Sequence, residues 1–80
     1  MTPTEIKAQL TGVFRDVFDN NTLEIFDAMT AKDVEDWDSL NHINLVVAVE
    51  RSFRVRLTTR EVSALEKVGD LIVLLEKKTA

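Results

Sequence analysis

No cysteine occurs in these 80 residues. That absence removes disulfides, thiolate metal sites and any thiol nucleophile belonging to the chain itself, so thioester chemistry would need a sulfur brought from outside. Histidine is nearly as scarce, His42 being the only one. Glycine is confined to Gly12 and Gly69, which leaves no Gly-rich loop to cradle a phosphate. No long apolar run is present either. Leu45 to Val49, matched in length by Leu71 to Leu75, is as long as any, far short of the roughly 18 residues that span a bilayer, and Met1 to Glu5 lacks a basic stretch followed by an apolar one. A soluble, cytoplasmic chain with no membrane partner is expected.

What is present suits one small folded domain over residues 1–80. Hydrophobic residues make up 45% of the chain, too many for intrinsic disorder. A chain this short buries only about 60% of the surface its unfolded form exposes, which leaves little room for an enclosed active site. The net charge of −4 argues against nucleic acid as a partner, because duplex binding needs a basic face. The charge is also unevenly placed. Asp19 to Asp38 holds seven acids (Asp19, Glu24, Asp27, Asp33, Glu35, Asp36, Asp38) against Lys32 alone, whereas Arg51, Arg54, Arg56 and Arg60 follow with no acid among them. Such blocks are either solvated surface or docking surface.

Local signals divide the chain into an all-α pattern. Thr2-Pro3-Thr4-Glu5 reads as a capping box with proline at the first helical position. Ile6, Leu10, Val13, Phe14 and Val17 then follow the 3.6-residue period, Phe18 widens the stripe, and Asp19-Asn20-Asn21 ends it. Residues 19–38 keep no period yet carry Leu23, Ile25, Phe26, Met29, Val34 and Trp37. They are expected to lie across the helices as a loop packed by its own side chains. Asp38 or Ser39 can cap a second helix through Phe53. Leu45, Val46, Val49 and Phe53 form its inward stripe, while Leu40, Ile43 and Val47 fall partly outside, leaving an excess apolar face. Its valines would also suit a strand. Phe53 to Leu57 alternates with period two, but no second alternating run exists to pair with it, so an extended loop is expected. Thr58-Thr59-Arg60-Glu61 is a second capping box, opening a short helix with Val62 and Leu65 as apolar contacts. Val68, Leu71, Ile72 and Leu75 mark a last helix in which Gly69 weakens only the start, and Lys77 and Lys78 suit the dipole at its end.

Catalytic readings fail on missing parts. A Ser39–His42–Asp38 triad would crowd three residues onto one helix start, with no oxyanion hole, and His42 reads as a surface residue. Asp33, Glu35, Asp36 and Asp38 invite a calcium loop but lack the glycine at its sixth position and the acid at its twelfth. No catalytic residue and no metal site are expected.

Asp38-Ser39-Leu40 is a weak signal alone and a strong one between a long loop and an apolar helix. With Glu35-Asp36-Trp37 before it, and Ala48-Val49-Glu50 and Phe53 after it, the chain resembles the acyl carrier protein family over nearly its whole length. The resemblance implies a four-helix bundle of three longer helices and one short one, with a long first loop. It implies no enzyme activity, and a 4'-phosphopantetheine arm attached to Ser39 by a phosphopantetheinyl transferase. Asp38 would help dock the transferase or hold its metal. Acyl-activating or synthase enzymes would be the other partners, meeting Leu40, Ile43, Val47, Glu50 and Arg51. The carrier would act as a monomer and hold an acyl or aminoacyl thioester for fatty-acid, polyketide or other specialised biosynthesis. A phosphodiester at a helix start faces unpaired N–H groups and the positive end of the dipole, worth about 0.3–1 kcal/mol when exposed. So small an effect cannot drive attachment, which is left to the transferase.

The chain also departs from the family pattern. Where fatty-acid-synthesis carriers keep the exposed face of this helix acidic, Asn41, Asn44 and Arg51 stand here, with Glu50 retained. Complementary charge sets encounter rate and partner choice, so the expectation is a specialised stand-alone carrier. The rival reading is a small helical protein-interaction module in which Ser39 is only a cap.

Overall fold

The computed structural model describes residues 1–79. Four helices, α1 (Pro3–Val17), α2 (Ser39–Phe53), α3 (Thr59–Ser63) and α4 (Val68–Lys78), form a bundle with one 3-10 turn, Ala31–Asp33, in the long loop between α1 and α2. No strand occurs among the described residues. The alternating residues after Phe53 do not pair. Arg54 leaves α2 in the left-handed region at φ 55°, and residues 55–58 run on without regular structure to α3.

Two of the helix starts are built as their sequences predict. The Thr2 hydroxyl accepts the Glu5 N–H at 3.2 Å while the Glu5 carboxylate accepts the Thr2 N–H at 2.8 Å. Thr58 and Glu61 repeat the exchange at 3.1 and 2.9 Å. Each box satisfies two N–H groups that a helix start leaves without partners.

α1 packs against both α2 and α4. Its stripe of Ile6, Leu10, Val13 and Phe14 meets Leu45, Val49 and Phe53 of α2 and Val68, Leu71, Ile72 and Leu75 of α4 in one buried cluster. Val46, expected on the inward stripe, is only half-buried. Leu45, Val49 and Phe53 recur every four residues and carry the stripe alone, and Val46 sits about 100° round the helix from Leu45.

Residues 19–38 are part of the core. Ile25, Met29 and Val34 are buried with the helices, and the backbone of this loop docks on α4. The Val68 and Gly69 N–H groups donate to the Met29 and Asp27 carbonyls at 2.9 and 2.8 Å. Lys67 supplies no side-chain cap, so the loop's carbonyls take that place. Gly69 therefore does more than weaken a boundary. A Cβ there would stand 3.0 Å from the Asp27 carbonyl oxygen, so a larger residue would push the loop back by a few tenths of an ångström, and glycine lets it approach this closely.

Lys78 stands in the last turn of α4, as expected for the helix dipole, and does more there. Its ammonium lies 2.8 Å from the Glu61 carboxylate and donates to the Arg56 carbonyl at 2.8 Å, tying α4 to α3 and the loop before it. Lys78, and after it the Thr58 N–H, hold the Glu61 carboxyl below the usual glutamate range. The stability Glu61 contributes is then complete above its unfolded pKa and lost as pH falls through the lower folded value. Between about pH 6 and pH 3, the melting temperature of wild type should fall further than that of Glu61→Gln. Parallel profiles for the two proteins would refute the coupling.

Candidate functional site at the start of α2

The approach to α2 is a short, heavily hydrogen-bonded turn. The Asp38 N–H donates to the Asp36 carbonyl at 2.9 Å, and the Asn41 side-chain amide clamps the same carbonyl from the helix at 2.7 Å. Asp38 is the cap. Its carboxylate accepts the Asn41 N–H at 2.8 Å and its carbonyl accepts the His42 N–H at 2.9 Å. Ser39 is the first helical residue and is exposed. The sequence left Asp38 and Ser39 as alternative caps; with Asp38 in that role, the Ser39 hydroxyl is not spent on holding the helix together.

No Ser–His couple forms. The Trp37 indole N–H donates to His42 Nδ1 at 3.1 Å, and the two rings lie edge to edge and nearly coplanar, with centroids 6.1 Å apart and planes 19° apart. His42, expected at the surface, is half-buried through this contact. Trp37 in turn meets Phe14 edge-on at 5.4 Å and Phe18 at 5.9 Å. The pair thus forms the outer rim of the aromatic end of the core. Beside it lies a small apolar cavity of about 100 Å³, lined by Trp37, His42, Leu45, Val49, Leu57 and Leu71 among others. Among the described residues no three His, Asp or Glu side chains converge on a common point, and the carboxylates of the loop stay spread over its surface.

The outer face of α2 carries Leu40 at 67%, Ile43 at 61% and Val47 at 42% exposure. These are large apolar side chains on successive turns of one helix, whereas a lone exposed leucine would need no explanation. Arg51 is exposed at the far end of the same helix. Glu50, grouped with these residues from the sequence, sits differently. It is half-buried, and its carboxylate accepts the Leu57 N–H at 3.0 Å. Its first task is to hold the loop after α2. Asn44, read as a surface amide, donates to the Asn41 side chain at 3.3 Å.

No protein-family model matches the chain, and no curated protein matches it. A solved structure does. The solution NMR structure of a holo acyl carrier protein from Geobacter metallireducens superposes with a TM-score of 0.85 at 38% sequence identity, covering 90% of this chain and 83% of that one. The chain belongs to the acyl carrier protein family.

Its role is that of an acyl carrier and not of an enzyme. In this carrier the Trp37–His42 pair is the feature that sequence reasoning missed. A tryptophan and a histidine five residues apart straddle the cap, and neither helical nor extended periodicity brings such a pair together. The only hint was that an isolated histidine directly follows the cap turn.

Proposed function

We propose that residues 1–80 act as one carrier domain holding an acyl or aminoacyl group as a thioester on a 4'-phosphopantetheine arm attached to Ser39. The observation that carries this reading is the division of labour at the start of α2: Asp38 caps the helix, while Ser39 is exposed at its first turn. A phosphodiester fits there, because the N–H groups of Ser39 and Leu40 find no acceptor among the described residues and the positive end of the helix dipole faces outward. When bound, the group supplies the thiol that a chain without cysteine lacks. The hydroxyl is an acceptor acted on by another enzyme, since no base is placed beside it. Asp38 contributes the docking geometry for the phosphopantetheinyl transferase or a contact to the transferase's metal. The rival, a small helical protein-interaction module without a prosthetic group, would give the exposed Ser39 hydroxyl no task, since Asp38 is the cap.

The cavity beside Trp37 and His42 offers the cargo a partial apolar shelter, so substrate choice falls largely to the acyl-activating or synthase partners. Those partners are expected to meet Leu40, Ile43, Val47 and Arg51. Because Asn41, Asn44 and Arg51 replace acidic residues on this helix, the carrier fits a specialised pathway better than housekeeping fatty-acid synthesis. We place it in the cytoplasm as a monomer; no helix among the described residues is long and apolar enough to cross a membrane.

Incubation with coenzyme A and a broad-range phosphopantetheinyl transferase, followed by intact mass and peptide mapping, tests the reading. One phosphopantetheine should be gained, on the peptide containing Ser39. A chain that gains none is not a carrier of this kind.

The docking face makes a separate prediction. Ile43→Asp should lower the transferase's kcat/KM by about tenfold, the range of an interface position worth more than 1 kcal/mol. Its melting free energy should stay within about 0.5 kcal/mol of wild type, as for other exposed positions. An unchanged kcat/KM would remove Ile43 from the contact surface.

A further inference from the structure

We infer that His42 is a positioning residue for the arm: with Nδ1 committed to Trp37, it presents Nε2–H to the phosphodiester oxygens of the group carried on Ser39. This rests on the carrier reading above and goes one residue further into the same site.

The tautomer follows from the hydrogen bond. An indole N–H can only donate, so His42 Nδ1, at 3.1 Å, accepts and carries no proton. The proton of the neutral ring is then on Nε2. No side chain or carbonyl among the described residues accepts it, and no buried side-chain nitrogen or oxygen there lacks a partner. The Nε2–H therefore reaches solvent at the rim of the half-buried ring.

Its direction follows from the helix. Side chains on a helix lean toward the N-terminus and cover the turn three to four residues before them, which for His42 is the turn of Asp38 and Ser39. Residues three apart lie about 5–6 Å apart at Cβ. An oxyanion attached to the Ser39 oxygen is within reach of that N–H. The ring is also held in place. The hydrogen bond ties it nearly coplanar to Trp37, and Trp37 is fixed by Phe14 and Phe18.

Beyond the backbone N–H groups of Ser39 and Leu40, the surroundings leave few donors for the phosphodiester. Asp36 and Asp38 flank the site with negative charge, the Asn41 N–H is taken by the Asp38 carboxylate, and the Asn41 amide is taken by the Asp36 carbonyl. His42 is the nearby side chain with a donor left to offer, and a hydrogen bond to an ionised phosphodiester is stronger than one between neutral groups. The same ring lines the apolar cavity. An arm anchored by His42 leaves α2 on the cavity side, away from Leu40 and Ile43, and its attachment is felt by Trp37 through the shared imidazole.

Trp37 is the only tryptophan, so its indole N–H gives a single assigned signal in a ¹H–¹⁵N spectrum of the full chain, and the phosphodiester gives a single ³¹P signal. Both are read before and after loading in wild type, His42→Gln and His42→Leu, with intact mass confirming each product. Glutamine keeps an acceptor for Trp37 and a donor for the phosphodiester; leucine keeps neither. The expected result is a displacement of the indole signal on loading in wild type and His42→Gln that is lost in His42→Leu, with the ³¹P signal moved only in the leucine variant. A fully loaded wild type whose indole signal does not move, or an unmoved ³¹P signal in His42→Leu, overturns the role of His42 and leaves the carrier reading intact. Failure of wild type to gain mass overturns both.

Discussion

Phe14→Ala should bring the domain close to the edge of its stability and lower its melting temperature by more than about 12 °C. Phe14 is fully buried, with its ring against Phe18 at 5.8 Å and Trp37 at 5.4 Å, so truncation opens a cavity where α1, the long loop and the start of α2 meet. Removing a buried phenylalanine costs about 3–5 kcal/mol. A chain of 80 residues has about 4–12 kcal/mol in total at 0.05–0.15 kcal/mol per residue, and each 1 kcal/mol moves the midpoint of so small a domain by about 4–8 °C. Phe26 supplies the control. It lies in the same loop as Trp37 and is 47% exposed, so Phe26→Ala should stay within about 0.5 kcal/mol of wild type. Thermal unfolding of both variants decides the matter, and equal losses for the two would show that the aromatic cluster is not a keystone of the core.

That cluster also shows which parts of the molecule could be read from sequence. The boxes at Thr2–Glu5 and Thr58–Glu61 were legible because their partners lie three residues apart and the hydrogen bonds close within one turn. The apolar stripes of α1, α2 and α4 were legible because burial imposes a helical period on them. Asp38 and Ser39 were recognised as the start of α2, but choosing between them as cap required seeing which side chain accepts the Asn41 N–H.

The contacts that escaped all cross between elements. Gly69 meets the Asp27 carbonyl, Lys78 meets Glu61 and the Arg56 carbonyl, and Glu50 turns its carboxylate to the Leu57 N–H. In each the residue type fits a bland local role, as helix breaker, dipole lysine or exposed acid. Only the packing of α4 on the loop, or the turn after α2, brings the second partner within reach. Trp37 and His42 belong to the same class. Their pairing depends on the chain reversing direction at the cap, and neither residue carries a pattern that predicts it. The face formed by Leu40, Ile43 and Val47 lies between these cases, since its excess over the buried stripe could be counted from the sequence while its exposure could not.

Ser39→Ala should abolish loading completely while leaving stability unchanged within about 0.5 kcal/mol. The hydroxyl is exposed, and the cap beside it belongs to Asp38, so alanine at this first helical position removes nothing the fold uses. Asp38→Ala tests the reverse. It keeps the hydroxyl and removes the acceptor of the Asn41 N–H, at a cost of about 0.5–2 kcal/mol for a lost N-cap. Asp38→Asn restores a capping oxygen without the charge, so it should melt near wild type while its rate of loading falls by about tenfold, equivalent to about 1.4 kcal/mol of lost transferase contact. Intact mass against time and thermal unfolding of the three variants separate the two residues. If Ser39→Ala still gained the arm, the attachment point would lie elsewhere. If Asp38→Asn loaded at the wild-type rate, the carboxylate would be a cap and nothing more, and docking of the transferase would rest on the apolar face of α2 alone.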